Sequence, residues 1–150
     1  RLKVDSAAFL ALDGLHTNTY ESTFKIRSLE SYATLFIMMD KLSGGEILEL
    51  LDKNEKVIRT VKATKETVFQ YLNPGDYYVR LFVDENGNNK WDTGNYAAKK
   101  QAEAVYYCPF KFTLRAFWEV EENWDYKALP LLKQKPEELI KSSTNKKKNK

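Results

Sequence analysis

Cysteine and histidine are almost missing from this chain: there is one of each, alongside four prolines and six glycines, in 150 residues. A lone cysteine excludes an internal disulfide and any cysteine-cluster zinc site, and a lone histidine excludes multi-histidine metal chemistry. No apolar run approaches the ~18 residues that a membrane-crossing helix needs. There is no glycine-rich phosphate loop, and no serine or cysteine motif accompanies His16 to make a nucleophilic triad. The residues therefore point to no enzyme. What the chain does have is 43% hydrophobic and 30% charged residues, with three Trp, nine Tyr and eight Phe. So many aromatics argue against a disordered chain, and the length suits one domain that buries roughly 70% of its unfolded surface.

Charge of one sign is concentrated at one end. The net charge is +3, but residues 141–150 hold five lysines and no acid, so the other 140 residues carry −2. Nucleic-acid-binding domains cluster Lys and Arg on a folded face, so no nucleic acid is expected as a partner. A terminal block of like charge reads as a solvated, disordered tail. The chain opens at Arg1 without a basic n-region or an apolar h-region, which reads as a fragment or a mature chain without its targeting segment.

The local signals are those of strands. Thr34–Met39 is a short apolar run, and Glu46–Asp52 with Val57–Ala63 reads as a hairpin around Asp52-Lys53-Asn54-Glu55. Thr67–Leu72 and Tyr77–Val83 follow, joined by Asn73-Pro74-Gly75-Asp76. Ala104–Tyr107 is next, holding the sequence that leads to Cys108, a small apolar strand residue. Between Phe110 and Val120 every second residue is apolar through Phe112, Leu114, Ala116 and Trp118, which predicts one strand over Lys111–Glu121 with Trp118 in the core. Short strands separated by turns, with no long amphipathic helix, predict an all-β, antiparallel β-sandwich of about seven or eight strands. Residues 1–20 read as a first strand or a junction to a preceding unit, 21–126 as the sandwich, and 127–150 as an extended arm with a disordered Lys-rich tail.

One loop carries ligand chemistry. Asp84-Glu85-Asn86-Gly87-Asn88-Asn89-Lys90-Trp91-Asp92 places side-chain oxygens of Asp84, Asn86, Asn88 and Asp92 at positions 1, 3, 5 and 9, with the Lys90 carbonyl at 7. That is the first half of an EF-hand loop, suited to Ca2+, which takes six to eight oxygen ligands. The loop departs from that pattern at position 6, where Asn89 replaces glycine, and at position 12, where Asn95 replaces a bidentate glutamate. With two formal charges, the expected calcium affinity is weak, about 10⁻⁴–10⁻³ M. The alternative is an Asx-rich loop that hydrogen-bonds its own backbone without an ion.

The remaining features are weighed against structural roles. Pro74-Gly75-Asp76-Tyr77 is the pattern of a tyrosine corner, a fold signature. Trp91 and Tyr96, beside the loop, offer an alternative function as an exposed platform for a glycan. Glu119, Glu121, Glu122 and Asp125 read as a solvated strand end, without a carboxylate partner fixed across a cleft.

The stretch Leu72-x-Pro-Gly-Asp-Tyr-Tyr-Val-Arg-Leu-Phe-Val-Asp-Glu-Asn-Gly-Asn-Asn-Lys-Trp-Asp-Thr-Gly resembles prealbumin-like sandwich modules of bacterial surface proteins, such as the B-type repeats of staphylococcal adhesins. Residues from about Leu72 to Trp124, including Val-Tyr-Tyr-Cys-Pro-Phe and Trp-Glu-Val-Glu-Glu-Asn-Trp, are similar to the C-terminal region of Bacteroidetes Ig-like-domain lipoproteins of the surface-layer type. The resemblance implies a prealbumin-like or Ig-like fold, a preceding Ig-like domain in the same chain, an extracytoplasmic location at the cell envelope or surface, and an accessory role toward a protein or glycan partner.

Overall fold

Burial alternates along the strands as their side-chain pattern requires. A computed structural model describes residues 1–140; the tail from 141 to 150 lies outside the described residues. Ten strands follow in order: β1 (Leu2–Val4), β2 (Tyr20–Ser22), β3 (Ala33–Met38), β4 (Glu46–Leu51), β5 (Val57–Lys62), β6 (Glu66–Leu72), β7 (Gly75–Val83), β8 (Val105–Tyr107), β9 (Phe112–Leu114) and β10 (Glu119–Asn123). The protein is an all-β sandwich, with a few more strands than the sequence predicts. One sheet has the order β10-β3-β6 and the other β5-β4-β7-β8, with β9 also on β7. Ala33, Leu35 and Ile37 of β3, Leu48 and Leu50 of β4, Phe69 of β6 and Val79 and Leu81 of β7 form one buried cluster with Trp124 and Tyr126. Each such aliphatic side chain contributes roughly 1.5–3 kcal/mol by leaving water.

The outer face of the five-stranded sheet is covered as well. Every residue of β4 is buried, and the C-terminal arm covers the end of that face at Leu51. Leu139, in a 3-10 turn at Glu137–Leu139, packs with Leu51 and Tyr78. The buried Gln134 donates to the carbonyls of Tyr126 and Leu129 at 2.9 and 2.7 Å and accepts from the Tyr107 amide at 3.1 Å. Residues 127–140 of the arm are thus tied into the fold by the Gln134 side chain and by the packing of Leu139.

Two findings depart from the sequence expectation. The predicted strand over Lys111–Glu121 is broken in two. β9 pairs with β7 in the five-stranded sheet, while β10 lies in the other sheet, parallel to β3. The chain changes sheets at 115–118, where Phe117 adopts a φ of 65° and Trp118 donates from its amide to the Arg115 carbonyl at 3.2 Å. The apolar alternation survives the turn because β9 and β10 both need apolar residues, although each serves a different sheet. Trp118 is consequently 46% exposed and outside the core, and Phe117 is 76% exposed. A left-handed phenylalanine costs about 1–2 kcal/mol, and this ring buries little to offset that. Phe117→Gly is therefore expected to raise the melting midpoint by about 2–4 °C, read by calorimetry; a lowered midpoint would show that the ring has a packing role.

The second sheet irregularity is a bulge. Ala33 faces Leu72 and Leu35 faces Phe69, so Gln70 and Tyr71 together oppose Thr34. Tyr71 takes the left-handed position at φ 57°, one usually given to glycine. The tyrosine corner forms: the Tyr77 hydroxyl donates to the Asn73 carbonyl at 2.8 Å, and burial pushes its phenol pKa up.

Residues 1–28 hold a different kind of surface. β1 and β2 form a separate two-stranded ribbon, and Phe9, Leu10, Leu12, Leu15, Phe24 and Ile26 are all exposed.

Candidate functional site

The loop that leaves β7 is wound by its own side chains. Asp84 Oδ1 accepts from the amides of Gly87 and Asn88 at 2.7 and 3.2 Å, and Oδ2 accepts from the Asn89 amide at 2.7 Å. Partial burial pushes the Asp84 carboxyl up, but the amides of Asn89, Gly87 and Asn88 outweigh it and hold it below the usual carboxylate range. Asn86 Oδ1 accepts from the Asn88 amide at 3.0 Å, and Asn88 Oδ1 from the Lys90 amide at 2.7 Å. Asn86 and Asn88 thus each stitch the amide two residues on, and Asp84 holds those three to five residues on, which curls the loop around its own Asx side chains. Asn89 has a φ of 59° and Gly87 one of 75°. Asn89 therefore adopts the left-handed backbone that glycine supplies in the EF-hand pattern, which asparagine tolerates better than most residues.

The last residue of the loop folds back onto its middle. Asp92 Oδ2 accepts from the side-chain amides of Asn86 and Asn88, the latter at 2.9 Å. Four of the five sequence-predicted side chains or groups are therefore brought into one hydrogen-bonded set: Asp84, Asn86, Asn88 and Asp92, with Lys90 joined through its amide. The donor set fits a hard cation, because it consists of carboxylate and amide oxygens. Its formal charge rests on two carboxylates; among the described residues no three His, Cys, Asp or Glu side chains converge.

Glu103 is the residue that sequence reasoning missed. It is 4% exposed and its carboxylate accepts from the Glu85 amide and the Asp92 amide, both at 3.0 Å. Its amide donates to the Asp92 carbonyl at 3.1 Å, and its carbonyl accepts from the Trp91 indole at 2.9 Å. One buried acid thus clamps both ends of the loop. The only signal for it in sequence is an acid between two alanines just before a strand. On the other side, the Asp84 amide donates to the Gly45 carbonyl at 2.8 Å. A Cβ on Gly45 would come within 3.0 Å of the Asp84 carbonyl, so the Ser43–Gly45 turn fits against the loop only without a side chain.

Trp91 is fixed by its indole hydrogen bond and 44% exposed, whereas Tyr96 is fully exposed. Tyr96 sits at the tip of a separate excursion closed by paired hydrogen bonds between Asn95 and Lys100 at 2.8 and 3.0 Å. Gly94 permits that closure, since a Cβ there would lie 2.8 Å from the Lys100 carbonyl. No ring pairing joins Trp91 to Tyr96 among the described residues. The single thiol, Cys108, is fully buried and pushed up to about 12 by desolvation.

No helix among the described residues is long and apolar enough to cross a membrane. Comparison of the chain with protein-family models, with curated proteins and with solved structures found no match.

Proposed function

We propose that the protein is a non-catalytic interaction module of prealbumin-like or Ig-like type from a bacterial cell-envelope or secreted protein, and that Ca2+ orders its Asp84–Asp92 loop. The observation that carries this reading is the convergence of Asp84, Asn86, Asn88 and Asp92 in a loop whose two ends are clamped by one buried carboxylate. Asp84 and Asp92 would supply the charged ligands, Asn86 and Asn88 amide oxygens, and Lys90 its carbonyl. Bound there, the ion supplies charge neutralisation and rigidity rather than an activated water. The clamp from Glu103 and the Gly45 contact then transmit that rigidity into both neighbouring segments. The exposed apolar side chains of residues 9–26 support a covering neighbour, which in this reading is a preceding Ig-like domain.

The test is thermal unfolding in excess calcium against excess EDTA, with magnesium as control. Ion at a hundred times its dissociation constant adds about 2.7 kcal/mol, which raises the midpoint by about 5–10 °C for a chain of this size. Asp92→Asn should abolish the rise. Equal midpoints in calcium and EDTA would leave a loop closed by its own hydrogen bonds and overturn the ion site.

A further inference from the structure

At the end of the sandwich opposite the loop, a cleft of about 500 Å³ opens among Tyr32, Tyr71, Phe117 and Trp118. The volume lies in the range of small-ligand sites. It stands where β6 ends and β3 begins, whereas the Asp84 loop leaves the far end of β7. Two of its four rings sit on left-handed backbone, Tyr71 at the bulge and Phe117 at the sheet-changing turn. Bulges re-aim side chains, and strained backbone of this kind clusters at binding sites. These two unrelated irregularities, one at the end of β6 and one in the turn between β9 and β10, deliver exposed rings to the same concavity. Phe117 is 76% exposed, Tyr71 56% and Trp118 46%, so three exposed aromatics line one concavity.

The polar groups of the cleft narrow the ligand. Glu30, Glu119 and Gln70 line it, and their side chains have no protein hydrogen-bond partner among the described residues. They are planar acceptors and donors suited to hydroxyl groups. A cationic ligand would be repelled by guanidinium groups of this chain that already stack on two of the rings: Arg27 lies 5.6 Å from the Tyr32 centroid and Arg115 lies 5.1 Å from that of Trp118. An anionic ligand would face the carboxylates of Glu30 and Glu119, so the cleft favours an uncharged guest. An uncharged molecule with apolar faces and a rim of hydroxyls is a pyranose ring.

We propose that this cleft binds neutral pyranose units of a glycan, with the ring of Phe117 or Trp118 against the sugar face and Glu30, Glu119 and Gln70 hydrogen-bonding its hydroxyls. The site does not depend on the calcium loop. It also differs from the platform at Trp91 and Tyr96, which stand apart from it.

Isothermal titration with cellohexaose, maltohexaose, xylohexaose and mannohexaose, and with tetramethylammonium as the cationic comparison, tests the assignment. At least one oligosaccharide is expected to bind with a dissociation constant of about 10 μM to 1 mM. Trp118→Ala and Phe117→Ala should each weaken that binding at least about tenfold, and EDTA should leave it unchanged. Phe117→Ala alters an exposed side chain, so its folding can be checked by circular dichroism and the result remains readable if Trp118→Ala unfolds. Failure of all four sugars to bind, binding of tetramethylammonium in their place, binding indifferent to Phe117→Ala, or binding abolished by EDTA would each overturn the proposal. The last outcome would move the sugar to the calcium loop.

Discussion

Replacing Glu46 with glutamine is expected to destabilise the protein by about 3 kcal/mol at neutral pH. The side chain is 2% exposed. Its carboxylate accepts from the amides of Ser43, Gly44 and Gly45 at 2.6, 2.8 and 3.1 Å and from the Tyr126 hydroxyl at 2.9 Å. Burial alone would push this carboxyl up, but the Ser43 amide, the Tyr126 hydroxyl and the Gly44 amide outweigh it and hold it at about 2. An unfolded chain holds it at 4.5, so the folded state favours the deprotonated form. The stabilisation is complete above pH 4.5 and is lost as pH falls from there toward 2. Glutamine would present an N–H₂ donor to backbone donors and carries no charge at any pH. Urea titrations should therefore find a gap between wild type and Glu46→Gln that narrows by about 2 kcal/mol between pH 7 and pH 3. A gap that does not change with pH would refute the role assigned to the charge. The same substitution should weaken the proposed calcium binding, because the turn that Glu46 fixes is the turn whose Gly45 carbonyl holds Asp84.

The second large effect is expected at the centre of the five-stranded sheet. Glu49 of β4 and Arg80 of β7 are directly opposite in register, with Nε donating to the carboxylate at 2.5 Å. Burial lowers the guanidinium pKa, but the bonds to Glu49 and Tyr107 outweigh it and raise it. Glu49 is 9% exposed, so removing Arg80 leaves a buried carboxylate without its counter-ion. Arg80→Leu should cost about 3 kcal/mol or more. Adding Glu49→Leu should then recover most of the loss, since an apolar pair of similar volume can replace a buried ion pair. Chemical denaturation of both singles and the double mutant gives the coupling. A double mutant no more stable than Arg80→Leu would mean that the arginine acts through its packing against Tyr107 and not through the charge pair.

The elements legible in sequence were those whose evidence is local. β3, the β4–β5 hairpin, β6 and β7 follow from apolar runs, alternation and turn residues, and Tyr77 with its Asn73-Pro74-Gly75 turn gave the corner. The spacing of Asp84, Asn86, Asn88 and Asp92 was also enough to find the loop, because these side chains bind groups only two to six residues away. What was not legible depends on distant partners. Glu103 acts 11 residues beyond Asp92, and nothing in its neighbours declares that both its oxygens are taken. Trp118 followed the apolar alternation and was placed in the core, yet the chain changes sheets there; Trp124 and Tyr126, beyond the alternation, are the buried ones. That β10 pairs with β3 in parallel has no local signature at all, because alternating residues read the same in either direction.

That parallel pairing sets an order of assembly. Glu119 lies opposite Thr34, so the edge of β3 waits for a strand made 85 residues later. At the usual synthesis speed of about 5–20 residues per second, the wait is roughly 4–17 seconds. Through that interval β3 and β6 form a two-stranded piece whose β3 edge lacks its later partner, and Leu35 and Ile37 face a core whose Trp124 and Tyr126 do not yet exist. Closure by contacts so distant along the chain is slow, and the edge is open to pairing with another nascent chain. The last strand therefore completes the sheet and replaces its apolar β3 border with one that carries Glu119, Glu121 and Glu122.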